Sequence, residues 1–193
     1  RMKVLHQGGS IKVGHQQITV EGADEATVFY TVDTEYSPVY PLYKGEKPRQ
    51  TTEKTIKSAI TKGYETVKHT HISDYQTLYN RVKFTLSGDT TSEKLPTDIR
   101  VKQLQQGFTD DASLKVLWFN LSRYLLISAS RPGTLPSNLQ GVWNTFEKAP
   151  WNGNFQSNIN LQEMYWGCGP TQLPECEEAY LEWIEGLVEP GRK

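Results

Sequence analysis

Residues 114–127, LKVLWFNLSRYLLI, decide how the chain folds. Leu114, Val116, Leu117, Trp118, Phe119, Leu121, Tyr124, Leu125, Leu126 and Ile127 cover nearly the whole circumference of a helix. A helix lying on a surface needs only one apolar stripe; one that is apolar all round is expected to be buried all round, as in the layers of a helical barrel. Thr109 or Asp110 can cap its start. The formal glycosylation sequon Asn120-Leu121-Ser122 falls within the helix and is expected to be inaccessible there.

Downstream lies Trp143 to Trp166, WNTFEKAPWNGNFQSNINLQEMYW, where three Trp, one Tyr and two Phe are interleaved with five Asn and two Gln. Amides are costly to bury unpaired, so this mixture does not suit a plain core. It suits a sugar pocket, with aromatic faces against the C–H face of a pyranose and amides bonded to its hydroxyls. Read as an extended ribbon, residues 156–160 would point Gln156, Asn158 and Asn160 to one face and Ile159 to the core. Trp143, Trp151 and Trp166 are candidate stacking platforms, and Pro150 with Asn152-Gly153-Asn154 places Trp151 in a loop. Arg131, Asn138 and Gln140 are candidate partners for sugar hydroxyls, although Arg131, just past a buried helix, can equally neutralise that helix's last carbonyls.

Upstream, Ile11-Lys12-Val13, Gln17-Ile18-Thr19-Val20 and Ala26 to Val32 read as strands of an all-β domain end. Residues 51–64 carry Ile56 and Ile60 at helical spacing, with Gly63 as a stop. Ser73-Asp74-Tyr75-Gln76 matches a capping box and predicts a helix from Asp74 to about Asn80. Arg81 to Leu86 alternates as a strand would, residues 87–97 read as a loop broken at Gly88-Asp89, and residues 97–107 read as a short helix. Beyond the ribbon, a helix over residues 175–187 aligns Tyr180, Trp183, Ile184 and Leu187 in one core stripe.

Composition narrows the partners. Lys and Arg number 21 against 22 Asp and Glu, a formal net charge of −1 at pH 7, which argues against nucleic acid and against an anionic membrane surface. No run approaches the ~20 apolar residues of a membrane span. His69-Thr70-His71 lacks Cys, Asp or Glu at ligand spacing, so neither a metal nor a cofactor is expected. Cys168 and Cys176 could pair if their backbones came close, but with no cysteine framework around them they read as buried free thiols. Arg1 to Leu5 lacks the plan of a signal peptide and Val188 to Lys193 follows directly on a helix, so the chain is expected to be a piece of a longer polypeptide.

The motifs RPGTLPSNLQGVWN at 131–144, PW at 150–151, SNINLQ at 157–162, YW at 165–166 and LPECEEAYLEWIEGLVEPGRK at 173–193 together resemble glycoside hydrolase family 95, the inverting α-L-fucosidases with some α-L-galactosidases. Weaker echoes run back through Leu95-Pro96-Thr97-Asp98, Asp74-Tyr75-Gln76 and Glu21-Gly22-Ala23-Asp24, so the resemblance covers most of the chain. It implies an α+β fragment: the end of an N-terminal β-sandwich over residues 1–66, a linker over 67–108, and the first helices of a truncated (α/α)6 catalytic barrel over 109–193.

The resemblance further implies an inverting exo-glycosidase acting on terminal α-L-fucosyl linkages. A Glu protonates the leaving oxygen while two Asn of an N-x-N motif, aided by an Asp, orient the attacking water. The motif positions are Asn158 and Asn160, and the Glu and Asp lie beyond Lys193, so the fragment alone is expected to be inactive. The alternatives are an α-L-galactosidase and a non-catalytic carbohydrate-binding fragment. Expected partners are a glycan or oligosaccharide and the remainder of the parent polypeptide; the expected location is extracellular or periplasmic. Family members usually read Met-Asn-Tyr-Trp where this chain has Glu163-Met164-Tyr165-Trp166. Glu163, three residues after Asn160, can share its helix face and touch sugar, or can pair with an Arg or cap a helix. Gln156 is placed to discriminate the C5 methyl of fucose from the hydroxymethyl of galactose.

Overall fold

The computed structural model describes residues 1–88, 91–107 and 110–192. The break expected at Asp89 and the cap expected at Thr109 lie outside the described residues. The chain is mixed α+β and divides into two compact units, residues 1–73 and residues 74–191.

In the first unit, β1 (Met2–Gln7) pairs antiparallel with β4 (Glu25–Tyr30), Met2 opposite Tyr30 and Gln7 opposite Glu25. Between them in sequence, β2 (Ser10–Val13) pairs with β3 (Ile18–Glu21). β2, β3 and β4 match the expected strands, whereas β1 was not foreseen. Gly9, at φ 63°, allows the β1–β2 turn, since a Cβ there would run into the Glu21 carbonyl. Phe29 is buried, while Val13, Val28 and Tyr30 are exposed.

Helix α1 (Pro48–Lys62) starts three residues before the expected position, because Pro48 needs no N–H partner and has a helical φ already. Of its early threonines, Thr52 donates back to the Pro48 carbonyl at 2.5 Å, whereas Thr51 donates to the Asp33 carboxylate. Gly63 ends it as expected: at φ 78° its N–H reaches the carbonyls of Ala59 and Ile60, each at 3.1 Å.

Helix α2 (Tyr64–Tyr79) begins immediately afterwards and runs through the expected start at Asp74. Ser73 is therefore mid-helix rather than an N-cap. Extending an existing helix adds one bond per residue, whereas a new start must nucleate, so the local capping signal loses. His69 and His71 lie on this helix.

The second unit contains a short 3-10 turn at Thr91–Lys94, α3 (Thr97–Gln105), α4 (Ala112–Ala129), α5 (Asn160–Tyr165), α6 (Pro174–Gly186) and α7 (Val188–Gly191). Its core joins the end of α2 to α4, α5 and α6 through Leu78, Ile127, Leu161, Tyr165, Cys168, Leu173 and Cys176. The expected strand at 81–86 is not a strand, and no strand pairing includes it among the described residues. Its alternation is real, since Val82 and Phe84 are half-buried, but Phe84 packs on a helix, its ring 4.7 Å from that of Phe119.

Helix α4 departs from expectation twice. Its N-cap is Asp111, whose carboxylate accepts from the Leu114 N–H at 2.9 Å. It is also not buried all round. Leu114 and Ile127 are buried, but Leu117, Trp118, Leu121, Tyr124 and Leu125 are exposed, and so are Leu121 and Ser122 of the sequon. Arg123, at 3% exposure, occupies the interior instead. Its Nη1 donates to the Tyr79 carbonyl at 2.7 Å and its Nη2 to the Leu78 carbonyl at 3.1 Å and the Thr171 carbonyl at 3.3 Å. These include orphan carbonyls at the C-terminal end of α2, where a cation also complements the helix dipole. The stripe expected on α6 is half right: Tyr180 and Trp183 pack on the core, while Ile184 and Leu187 are exposed.

Candidate functional site

The segment from Ser130 to Trp166 turns through short loops into α5, and a buried polar chain fixes its course. Ser130 Oγ donates to the Cys176 carbonyl at 2.7 Å. It therefore accepts from the Tyr165 hydroxyl, 2.7 Å away, which in turn accepts from the Ser137 N–H at 2.9 Å. Burial pushes the Tyr165 phenol up, against the downward pull of Ser130 and Ser137. Beside it, burial raises both thiols, Cys168 to about 12. Both cysteines are free and buried, as expected.

Residues 156–160 do not form the expected ribbon. Gln156 has φ 49° and Ile159 φ 87°, so the segment closes into a turn, and Asn160 is the first residue of α5. Ile159, expected in the core, is 49% exposed. A period-two reading fails here because left-handed residues break strand alternation. Trp151 and Asn152 also have positive φ, 49° and 58°, so four non-glycine residues between 151 and 159 hold sparsely populated backbone. Each such residue costs on the order of 1–3 kcal/mol, and such strain gathers at functional sites. A β-branched residue at φ 87° is the least comfortable of the four.

The turn is tied down from within. Leu161, fully buried, donates its N–H to the Gln156 carbonyl at 3.3 Å. The Gln162 amide accepts from the Ile159 N–H at 3.1 Å and donates to the Ser157 carbonyl at 2.7 Å. Asn158, Ile159 and Asn160 are displayed outward and exposed. On α5, Leu161 and Tyr165 face the core, and Asn160, Glu163 and Trp166, spaced by three, are exposed. Residues three apart on a helix are neighbours, so Glu163 shares the side of Asn160 as expected. Among the described residues, Glu163 forms no ion pair.

The remaining candidates fall around this turn. Trp151, 72% exposed, sits in the short 3-10 turn Pro150–Gly153, so the loop setting read from sequence is correct. Gln156 Nε2 donates to the Asn154 side-chain carbonyl at 2.7 Å. Gln140 Nε2 donates to the Pro150 carbonyl at 3.1 Å, and its Oε1 is buried without a partner. Asn138 directs its side-chain carbonyl to the Gln140 N–H, at 3.0 Å, stabilising its own turn. The Arg131 guanidinium turns to Asp74, its Nη2 donating to the carboxylate at 2.7 Å. Trp143 is 51% exposed and stacks on Tyr124 at 6.4 Å. Gln140, Trp143 and Met164 line a cavity of about 330 Å³ against Leu125 and Leu126 of α4; Asn158 and Asn160 are outside that lining.

Sequence reading passed over Gln162, Tyr165 and Ser130. Gln162 carried a signal, since Gln at the third helical position is the returning half of a capping box. Chemically, the exposed amides of Asn158 and Asn160 are neutral donors and acceptors able to hold a water or a hydroxyl, with one carboxylate, Glu163, on the same helix side.

The Glycosyl hydrolase family 95 catalytic domain matches residues 63–193. The chain is 37% identical over 194 aligned residues to Alpha-L-fucosidase 2 of Arabidopsis thaliana, covering 98% of this chain and 23% of the relative. It is 35% identical over 164 residues to Probable alpha-fucosidase A of Aspergillus niger, with 82% of this chain and 20% of the relative covered. For Probable alpha-fucosidase A of Aspergillus oryzae the identity is 35% over 158 residues, covering 80% and 21%. The chain thus spans less than a quarter of the length of these curated relatives. By both the domain match and these identities, the chain belongs to glycoside hydrolase family 95.

Proposed function

We propose that this chain is part of an inverting exo-glycosidase that hydrolyses terminal α-L-fucosyl linkages of glycans, and that Asn158 and Asn160 hold the attacking water. The observation carrying this reading is the presentation of two exposed amides by a backbone turn with left-handed residues at Gln156 and Ile159. The names of the fucosidase relatives supply the substrate class. An inverting enzyme admits water between the sugar and its base. A neutral amide is a poor base but a good acceptor, so it aims the water's lone pair while a carboxylate elsewhere takes the proton. That carboxylate and the general acid belong to the parent polypeptide outside this chain, which alone is inactive.

In this reading residues 1–66 end a β-sandwich, 67–108 form the linker and 109–193 open an (α/α)6 barrel. The exposed apolar residues of α4, Leu117, Trp118, Leu121, Tyr124 and Leu125, would be covered by the remaining barrel helices. Trp151 and Trp166 stack on sugar, with Trp143, Gln140, Gln156, Glu163 and Arg131 around the substrate; the enzyme works outside the cytoplasm. The test is to incubate the complete enzyme with terminally α-L-fucosylated and α-L-galactosylated glycans and follow the released sugar by NMR. Fucose released first as the β-anomer is expected. Release with retained configuration would reject the mechanism, and preferential release of L-galactose would reject the substrate.

A further inference from the structure

Resting on the reading of Asn158 as a holder of the attacking water, we propose that Gln162 is the positioning residue that sets the aim of that amide. Asn158 is exposed, so no packing fixes its side chain. Its Cα–Cβ bond, from which the amide swings through its side-chain torsions, is aimed by φ and ψ, the two soft torsions between the peptide group before it and the one after it. Gln162 grips both peptide groups: its Nε2 donates to the Ser157 carbonyl at 2.7 Å, and its Oε1 accepts from the Ile159 N–H at 3.1 Å. Only one orientation of the amide satisfies a carbonyl and an N–H together, so the assignment of its oxygen and nitrogen is fixed by the bonds themselves. One planar group thus spans Asn158 and holds both planes.

The clamp is itself anchored. Gln162 is half-buried and directly follows Leu161, which is fully buried and bonded back to Gln156. Ile159 at φ 87° would relax toward common backbone if released, and with it the plane that follows Asn158. A small misplacement of a group holding a reactant costs on the order of 10²-fold in rate.

The test is a double-mutant cycle in the complete enzyme, measuring kcat and KM on a terminally fucosylated oligosaccharide for Gln162→Met, Gln162→Glu, Asn158→Ala and each double variant. Gln162→Met removes both arms; Gln162→Glu keeps an acceptor for Ile159 but sets a carboxylate oxygen against the Ser157 carbonyl. Each Gln162 variant is expected to lower kcat by about 10- to 100-fold with KM within about twofold. In the Asn158→Ala background, either change should then alter kcat by less than about twofold. Wild-type kcat in folded Gln162→Glu, or a loss that multiplies in full with that of Asn158→Ala, overturns the clamp while leaving Asn158 in its role. Wild-type kcat in Asn158→Ala overturns both.

Discussion

Arg100 holds Asp111 through two parallel hydrogen bonds of 2.8 Å, with only 8% and 0% of the two side chains exposed. The same carboxylate accepts from the Leu114 N–H, so one side chain caps α4 and ties it to α3. The guanidinium holds the Asp111 carboxyl well below the usual carboxylate range, overcoming the opposing cost of burial.

A folded pKa below the unfolded value means the stabilisation is complete above the unfolded pKa and lost as pH falls through the folded one. The Asp111 contribution should therefore be intact at neutral pH and fade progressively below about pH 4. At pH 7, Asp111→Ala is expected to cost about 3 kcal/mol in urea denaturation, because it strands Arg100 and removes the cap. Asp111→Asn should lose less and flatten the acid limb. A cost under about 0.5 kcal/mol for the alanine variant would show the pair to be dispensable.

Arg123 caps the end of α2 from within the core and meets carbonyls of Leu78, Tyr79 and Thr171. Its replacement by Met leaves these acceptors orphaned, an expected loss of about 3 kcal/mol. Lys cannot reproduce the fork, so Arg123→Lys should recover little of it. Equal midpoints for the Lys variant and the wild type would contradict that.

The hydroxyl of Tyr165 stands between the Ser137 N–H and Ser130 Oγ. Tyr165→Phe keeps the ring and strands a buried donor, so it should destabilise by about 1–3 kcal/mol. Thermal unfolding unchanged from wild type would mean that the turn does not depend on this chain of hydrogen bonds.

Ile159 is half-exposed and held at φ 87°. Ile159→Gly removes the steric strain and little packing, so stability should hold or rise by up to about 1 kcal/mol. A loss of more than about 1 kcal/mol would indicate that the Ile side chain carries the turn.

What could be read from the chain depended on how local each signal is. Gly63 ends α1 because a left-handed stop needs only itself and the preceding turn. β2 and β3 lie four residues apart and declare themselves. β1 does not, because its partner β4 is distant and its ladder is a non-local choice. Ser73 carries a capping signal that helix propagation overrides. Val82 and Phe84 alternate correctly yet pack on a helix instead of pairing. The amide-rich segment at 156–160 stands out by composition, but its geometry does not: nothing in Gln156 or Ile159 announces positive φ, and the turn they form is closed by short-range bonds from Leu161 and Gln162. Chemical type marks the candidate residues in the sequence, whereas the two bonds from Gln162 to either side of Asn158 are visible only in the fold.

The most direct test is the turnover of Asn158→Ala and Asn160→Ala in the complete enzyme, with thermal stability measured alongside. Both side chains are exposed, so their removal should leave the midpoint within about 0.5 kcal/mol equivalent of wild type. kcat should fall by about 10²- to 10⁴-fold. Wild-type turnover in both variants, or loss of activity only in step with loss of folded protein, would contradict a role for these amides in holding the water.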